Sequence, residues 1–160
     1  MEYDIKINTN QHYLTGIPGI DKQHNELFEK LDGLIKHLKN KSLSAHNVRA
    51  AILDIFNDFK VHFTTEEAFM EMVNFPGIKD HVSQHRNLLN VISGEMKILE
   101  NTDNLKIGHF IQSYRNMAQI HLDIFDREYV EYARKIMAQR KKKRISILKK
   151  QLPDSQSIAV

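Results

Sequence analysis

Four stretches of this 160-residue chain carry apolar residues at alternating spacings of three and four, and every one of them sets histidine where the pattern asks for an apolar side chain. Such spacing gives a helix with a single buried stripe, so the chain has to fold by packing four stripes together. The second stretch is the most regular: Val48, Ile52, Ile55, Phe59, His62, Glu66, Phe69 and Val73. The first runs His24, Phe28, Leu31, Ile35, Leu38, and the third runs His81, His85, Leu88, Ile92, Met96, Leu99. In the fourth, Phe110, Tyr114, Ala118, His121, Phe125 and Tyr132 share a face. Sustained two-residue alternation is missing, so strands are not expected.

Local signals set the expected limits. The first helix covers 21–39, with Asp21 as N-cap after the Pro18-Gly19 turn. The second covers 45–74, entered through Ser44 and broken by Pro76-Gly77, and the third covers 79–100, ahead of a loop holding Asn101, Asp103 and Asn104. The fourth starts near Leu105 and meets no breaker before Pro153. Short connections favour antiparallel neighbours. The expected fold is therefore all-α: an up-down-up-down antiparallel four-helix bundle over 21–134, preceded by an N-terminal arm (1–20) and followed by a basic C-terminal extension (135–160).

In that topology His24, His62, Glu66, His81 and His85 belong to one end of the bundle. The fourth helix returns to that end and reaches His121 about 24 Å from its start at 1.5 Å per residue. A single buried histidine is usually a core residue with a hydrogen-bond partner. Five histidines and a carboxylate in one layer are different, because they would lose their hydration with little compensation unless a cation sat among them. Neutral imidazole and carboxylate are both good metal ligands. His62 with Glu66, and His81 with His85, are i, i+4 pairs on one face. His121 and Asp126 are five apart, about 140° round an ideal helix. They can serve two adjacent ions or flank a bridged pair. So many donors exceed one tetrahedral zinc and suit two ions with bridging carboxylates. Carboxylate-rich di-iron bundles carry Glu-x-x-His pairs instead. The histidine-rich set leaves less negative charge to stabilise high-valent iron, which favours binding oxygen over breaking its O–O bond.

The chain resembles the hemerythrins, and among them the bacterial hemerythrin-like proteins. The residues that carry the likeness are Gly16-Ile17 with Ile20-Asp21-Lys22-Gln23-His24, then His62-Phe63-x-x-Glu66-Glu67, Phe75-Pro76, His81-x-x-x-His85 and His121-x-x-x-x-Asp126. Together they span about residues 13–130. The resemblance implies two iron ions joined by an oxo or hydroxo bridge. His81, His85 and His121 would be terminal ligands of one iron and His24 and His62 of the other, with Glu66 and Asp126 bridging. It also implies dioxygen as a reversible ligand at an open position on the iron of His24 and His62. Phe28, Phe63, Ile120 and Phe125 are candidates for the apolar wall round it. Thr9 stands where the family usually has an arm tryptophan, and the chain has no tryptophan at all. Two other readings remain: a di-iron oxidoreductase acting on peroxide or nitric oxide, and an iron-handling protein.

Charge and composition narrow the rest. Without cysteine the chain has no disulfide, thiolate zinc site, iron–sulfur cluster or cysteine nucleophile. Glu2, Asp4 and Lys6 interrupt the first twenty residues, so no secretory leader is expected, and no run of apolar residues is long enough to span a membrane. A cytoplasmic location is expected. The net charge of +3 divides unevenly, since residues 134–150 hold nine Lys/Arg and no acid while residues 1–133 hold 14 basic and 19 acidic residues. No nucleic-acid partner is expected for the body. The basic extension reads as a solvated continuation of the fourth helix, or as a basic amphipathic segment that meets an acidic partner, a membrane surface or nucleic acid. His12, His37, His46 and His109 fall off the stripes and are expected at the surface.

Overall fold

The structure is a computed structural model that describes residues 14–97 and 104–151, with backbone alone at 104, 105 and 151. Thr9, His12, the loop with Asn101 and Asp103, and Pro153 lie outside the described residues. Five α-helices and one π-helical turn make four rods: α1 (Pro18–Lys39), α2 (Ala45–Val73), α3 (Ile78–Met96), and α4 (Asn104–Ile120) running through a π turn (His121–Asp126) into α5 (Arg127–Gln151). α1 packs against α2 and α4, and α2 packs against α3. The result is an all-α four-helix bundle.

α1 begins earlier than expected, and Asp21 lies inside its first turn. Its carboxylate accepts from Thr15 N (2.8 Å), Thr15 Oγ (2.7 Å) and Gly16 N (3.0 Å), so it ties the incoming chain down from within the helix. Gly16 has φ +77°, a left-handed turn that L side chains rarely adopt. Arg134, far along the chain, donates to Leu14 O and Thr15 O and closes the clamp. Ser44 caps α2 as expected, accepting from Asn47 N at 3.3 Å. Asn74 ends α2 in the left-handed region at φ 55°, where Asn is tolerated.

The first two stripes are buried almost throughout, and Phe69 alone among them is half-exposed. The fourth changes phase at the π turn. Counting from His121, an unbroken α-helix would bury positions four, seven, eight and eleven further on. The buried residues are Asp126, Tyr129, Val130 and Ala133, each one residue later. One extra residue has been accommodated in a wide turn, a device that restores the α frame afterwards. That is why Phe125 and Tyr132, expected on the buried face, are only half-buried.

The apolar core is divided along the bundle. One cluster holds Leu27, Leu31, Leu34, Ile52, Ile55, Phe59, Ile111 and Tyr114 among others. A smaller one holds Ile20, Met70, Val73, Phe75, Tyr129, Val130 and Ala133. Along α1, α2 and the fourth rod, the polar layer falls between them. Arg115 is buried at the edge of the larger cluster, paired with Asp32 and lying over the Phe28 ring at 5.4 Å. His37, His46 and His109 are exposed. The basic extension continues α5 as helix, and among the described residues no helix is long and apolar enough to cross a membrane.

Candidate metal centre

His24, His62, Glu66, His81, His85, His121 and Asp126 are all buried, and they meet. Their donor atoms form two groups, each with every atom within 4.8 Å of the others: Glu66, His81, His85, His121 and Asp126 in one, and His24, His62, Glu66 and Asp126 in the other. Glu66 and Asp126 belong to both. His24 Nε2 lies 3.0 Å from His62 Nε2, and His85 Nε2 lies 3.1 Å from His121 Nε2. Two imidazole nitrogens facing each other can share only one proton, whereas two lone pairs can share a cation.

The π turn explains how the fourth rod supplies two donors. Its i→i+5 bonding brings residues five apart onto one face. His121 Nε2 accordingly sits 3.1 Å from Asp126 Oδ1, which an ideal α-helix would not allow.

Neighbouring side chains hold the ring orientations. Glu67 Oε1 is 2.9 Å from His85 Nδ1, and a carboxylate only accepts, so His85 donates from Nδ1 and keeps its Nε2 lone pair for the layer. Gln23 does the same for His62. Thr65 Oγ donates to Val61 O at 2.9 Å and accepts from Gln23 Nε2 at 3.0 Å, which turns Gln23 Oε1 toward His62 Nδ1 at 3.3 Å. Tyr129 donates to Glu66 Oε1 at 2.7 Å. Sequence reasoning missed Tyr129, because the expected stripe passed it by. The five-residue interval between His121 and Asp126 was the signal, since it shifts everything beyond by one.

The layer is electrostatically uncomfortable without a cation. Burial pushes the His62 imidazole down to about 4. Burial also lowers His81, but Asp126 and Glu66 outweigh it and raise His81 to about 9. Burial and Asp126 push the Glu66 carboxyl upward, yet His62, His81 and His85 hold it well below the usual range. Glu66 Oε2, His81 Nε2 and both Asp126 carboxylate oxygens have no hydrogen-bond partner although buried. Two carboxylates and five imidazoles, with acceptor atoms orphaned at their centre, form a donor set that could hold metal.

Phe28, Phe63, Ile120 and Phe125, expected round a ligand pocket, take different places about this layer. A cavity of about 20 Å³ lies against His24, His62, His121 and Asp126, and Phe28 and Phe63 line it together with Leu27, Phe59, Leu88 and Ala118. Ile120 does not: it is 51% exposed, because the residue beside an inward His121 on a helix is turned about 100° away. The Phe125 ring packs on His121 at 5.4 Å but does not reach the cavity.

Comparison with known proteins gives the same direction. The chain is 27% identical over 99 residues to the bacteriohemerythrins of three Campylobacter jejuni strains, which covers 58% of this chain and 74% of each relative. No solved structure gives a significant match. The family described as the hemerythrin HHE cation binding domain matches residues 15–131. That span takes in all seven side chains of the buried layer and the rods that carry them, and the chain belongs to the hemerythrin family.

Proposed function

We propose that the chain is a non-haem di-iron protein that binds dioxygen reversibly in the cytoplasm, for storage, delivery or sensing. In this reading His81, His85 and His121 would hold one iron and His24 and His62 the other, with Glu66 and Asp126 available to both. The observation that carries it is the unequal sharing of donors: both groups contain the two carboxylates, and one has three histidines against two. The His24–His62 group therefore offers one protein donor fewer than the other. The cavity touches both of its histidines.

When bound, the iron pair supplies the electrons that hold dioxygen and takes them back on release. The protein's part is to position and to exclude. A cavity near 20 Å³ has room for about one water-sized molecule. Leu27, Phe28, Phe59, Phe63, Leu88 and Ala118 give such a molecule no hydrogen bond, so water and protons gain little by entering. Tyr129 holds one oxygen of Glu66 and leaves the other for metal. The carrier reading stands ahead of an oxidoreductase or an iron-handling role on the histidine-rich donor set, which leaves less negative charge to stabilise high-valent iron; the narrow cavity itself admits nitric oxide as readily as dioxygen.

The test is the visible spectrum of iron-loaded, dithionite-reduced protein in air and then under argon. A charge-transfer band that appears in air and fades under argon is expected. Immediate, permanent conversion to a diferric spectrum would sink the carrier reading.

The π turn allows a second expectation. Deleting Ile124, which is 53% exposed, would put His121 and Asp126 at i, i+4 and set Tyr129, Val130 and Ala133 at the spacings of an ordinary α-helix. The deletion variant is expected to keep both irons, measured by metal analysis. Loss of either ion would mean that the wide turn itself aims the donors.

A further inference from the structure

Beyond the bundle, α5 presents a surface that the iron chemistry does not use. The face of α5 buried as Val130 and Ala133 continues outward as Met137, Arg140, Arg144, Ile147 and Leu148, at helical spacing. Met137, Ile147 and Leu148 are 49%, 46% and 51% exposed. A shallow groove joins Ile147 and Leu148 to Arg140, Lys143 and Arg144. Residues 134–150 hold nine cations and no acid. From Lys135 onward none of these cations has a hydrogen bond or ion pair among the described residues.

We infer that this helix is a docking element for the surface of a bilayer containing anionic phospholipid. Three features select that occupant. Charge complementarity requires a polyanion. The aliphatic residues along the same face gain only from a partner with an apolar layer beneath its charge, and the long stems of Arg140, Lys143 and Arg144 can lie along that layer with their heads at the phosphates. A nucleic acid would leave Ile147 and Leu148 in water, and residues 134–150 offer no aromatic ring for base stacking. A second copy of the helix would bring another unbroken set of cations. The acidic body does not oppose docking: a helix of this length projects about 25 Å at 1.5 Å per residue, well beyond the roughly 8 Å over which charges are felt at physiological salt.

The experiment uses the full-length, iron-loaded chain and co-sedimentation with vesicles of phosphatidylcholine, alone or mixed with phosphatidylglycerol. Partition onto the mixed vesicles is expected to exceed that onto phosphatidylcholine by at least about tenfold at low salt and to fall as salt rises. The Ile147→Ser/Leu148→Ser variant, with every charge intact, is expected to lose about tenfold in partition. Its unchanged helix content and iron load would show that the bundle is undisturbed. Equal partition onto both vesicles, no effect of the serine pair, tighter capture by a DNA duplex than by the mixed vesicles, or a salt-resistant dimer would each overturn the proposal.

Discussion

Glu66→Gln is expected to reduce bound iron from two ions per chain to fewer than one and to erase the melting difference between loaded and stripped protein. Glu66 belongs to both donor groups, so its loss weakens both ions at once. The amide keeps the size of the side chain and still accepts from Tyr129, which isolates the lost charge from lost packing. An ion present at a thousand times its Kd stabilises the folded state by about 4 kcal/mol. Each kcal/mol moves the Tm of a domain this size by roughly 2–4 °C. Loading the first ion is therefore expected to raise the Tm of the native sequence by about 8–16 °C, read by circular dichroism with and without a chelator. In the stripped state the variant should melt within a few degrees of the native chain. Removing the charge loses attraction to His81 and His85 but also removes repulsion from Asp126 and the burden of a fully buried carboxylate. A variant that retains both ions and the full shift would show that Glu66 is not a bridge.

How far the sequence predicted this arrangement can be judged residue by residue. Six of the seven donors, all but Asp126, were legible because each breaks an apolar stripe, and a broken stripe is visible without knowing the fold; Asp126 stands off the stripe and was legible only through its motif with His121. Their convergence was legible too, since short connections fix which helix ends meet. The helix limits were good where a side chain announces a cap, as Ser44 does, and poor at Asp21, whose carboxylate reaches back to Thr15 and Gly16 from inside the helix. Ile120 faces away simply because it stands next to an inward His121, whereas Phe125 is only half-buried for a different reason. Periodicity assumes 3.6 residues per turn, and the fourth rod departs from it at the functional layer. The same assumption hid Tyr129. Gln23 and Glu67 stood inside the recognised motifs, yet their part in orienting His62 and His85 needed atomic positions, because a polar residue beside a stripe reads from sequence as solvated surface although both are half-buried.

Leu31→Ala is expected to do the reverse of Glu66→Gln: a large loss of stability with iron binding intact. Leu31 is completely buried in the larger apolar cluster, among Leu27, Leu34, Ile35 and Ile55. Truncating a leucine in such a site costs about 2.7–5 kcal/mol, from lost burial and from the cavity left behind. The Tm should fall by roughly 5–20 °C in loaded and stripped protein alike. Iron should remain at two ions per chain, because Leu31 lies seven residues, or about 10 Å, beyond His24 along α1. Sites that far apart and without shared partners add their effects, so the Leu31→Ala/Glu66→Gln variant should show the sum of the two changes within about 0.5 kcal/mol. Additivity follows from the divided core. The apolar cluster beyond the layer drives folding, while the layer itself contributes little until a cation joins its carboxylates and imidazoles. Strong coupling between the two substitutions, or loss of iron in Leu31→Ala alone, would mean that the donors depend on that packing for their geometry.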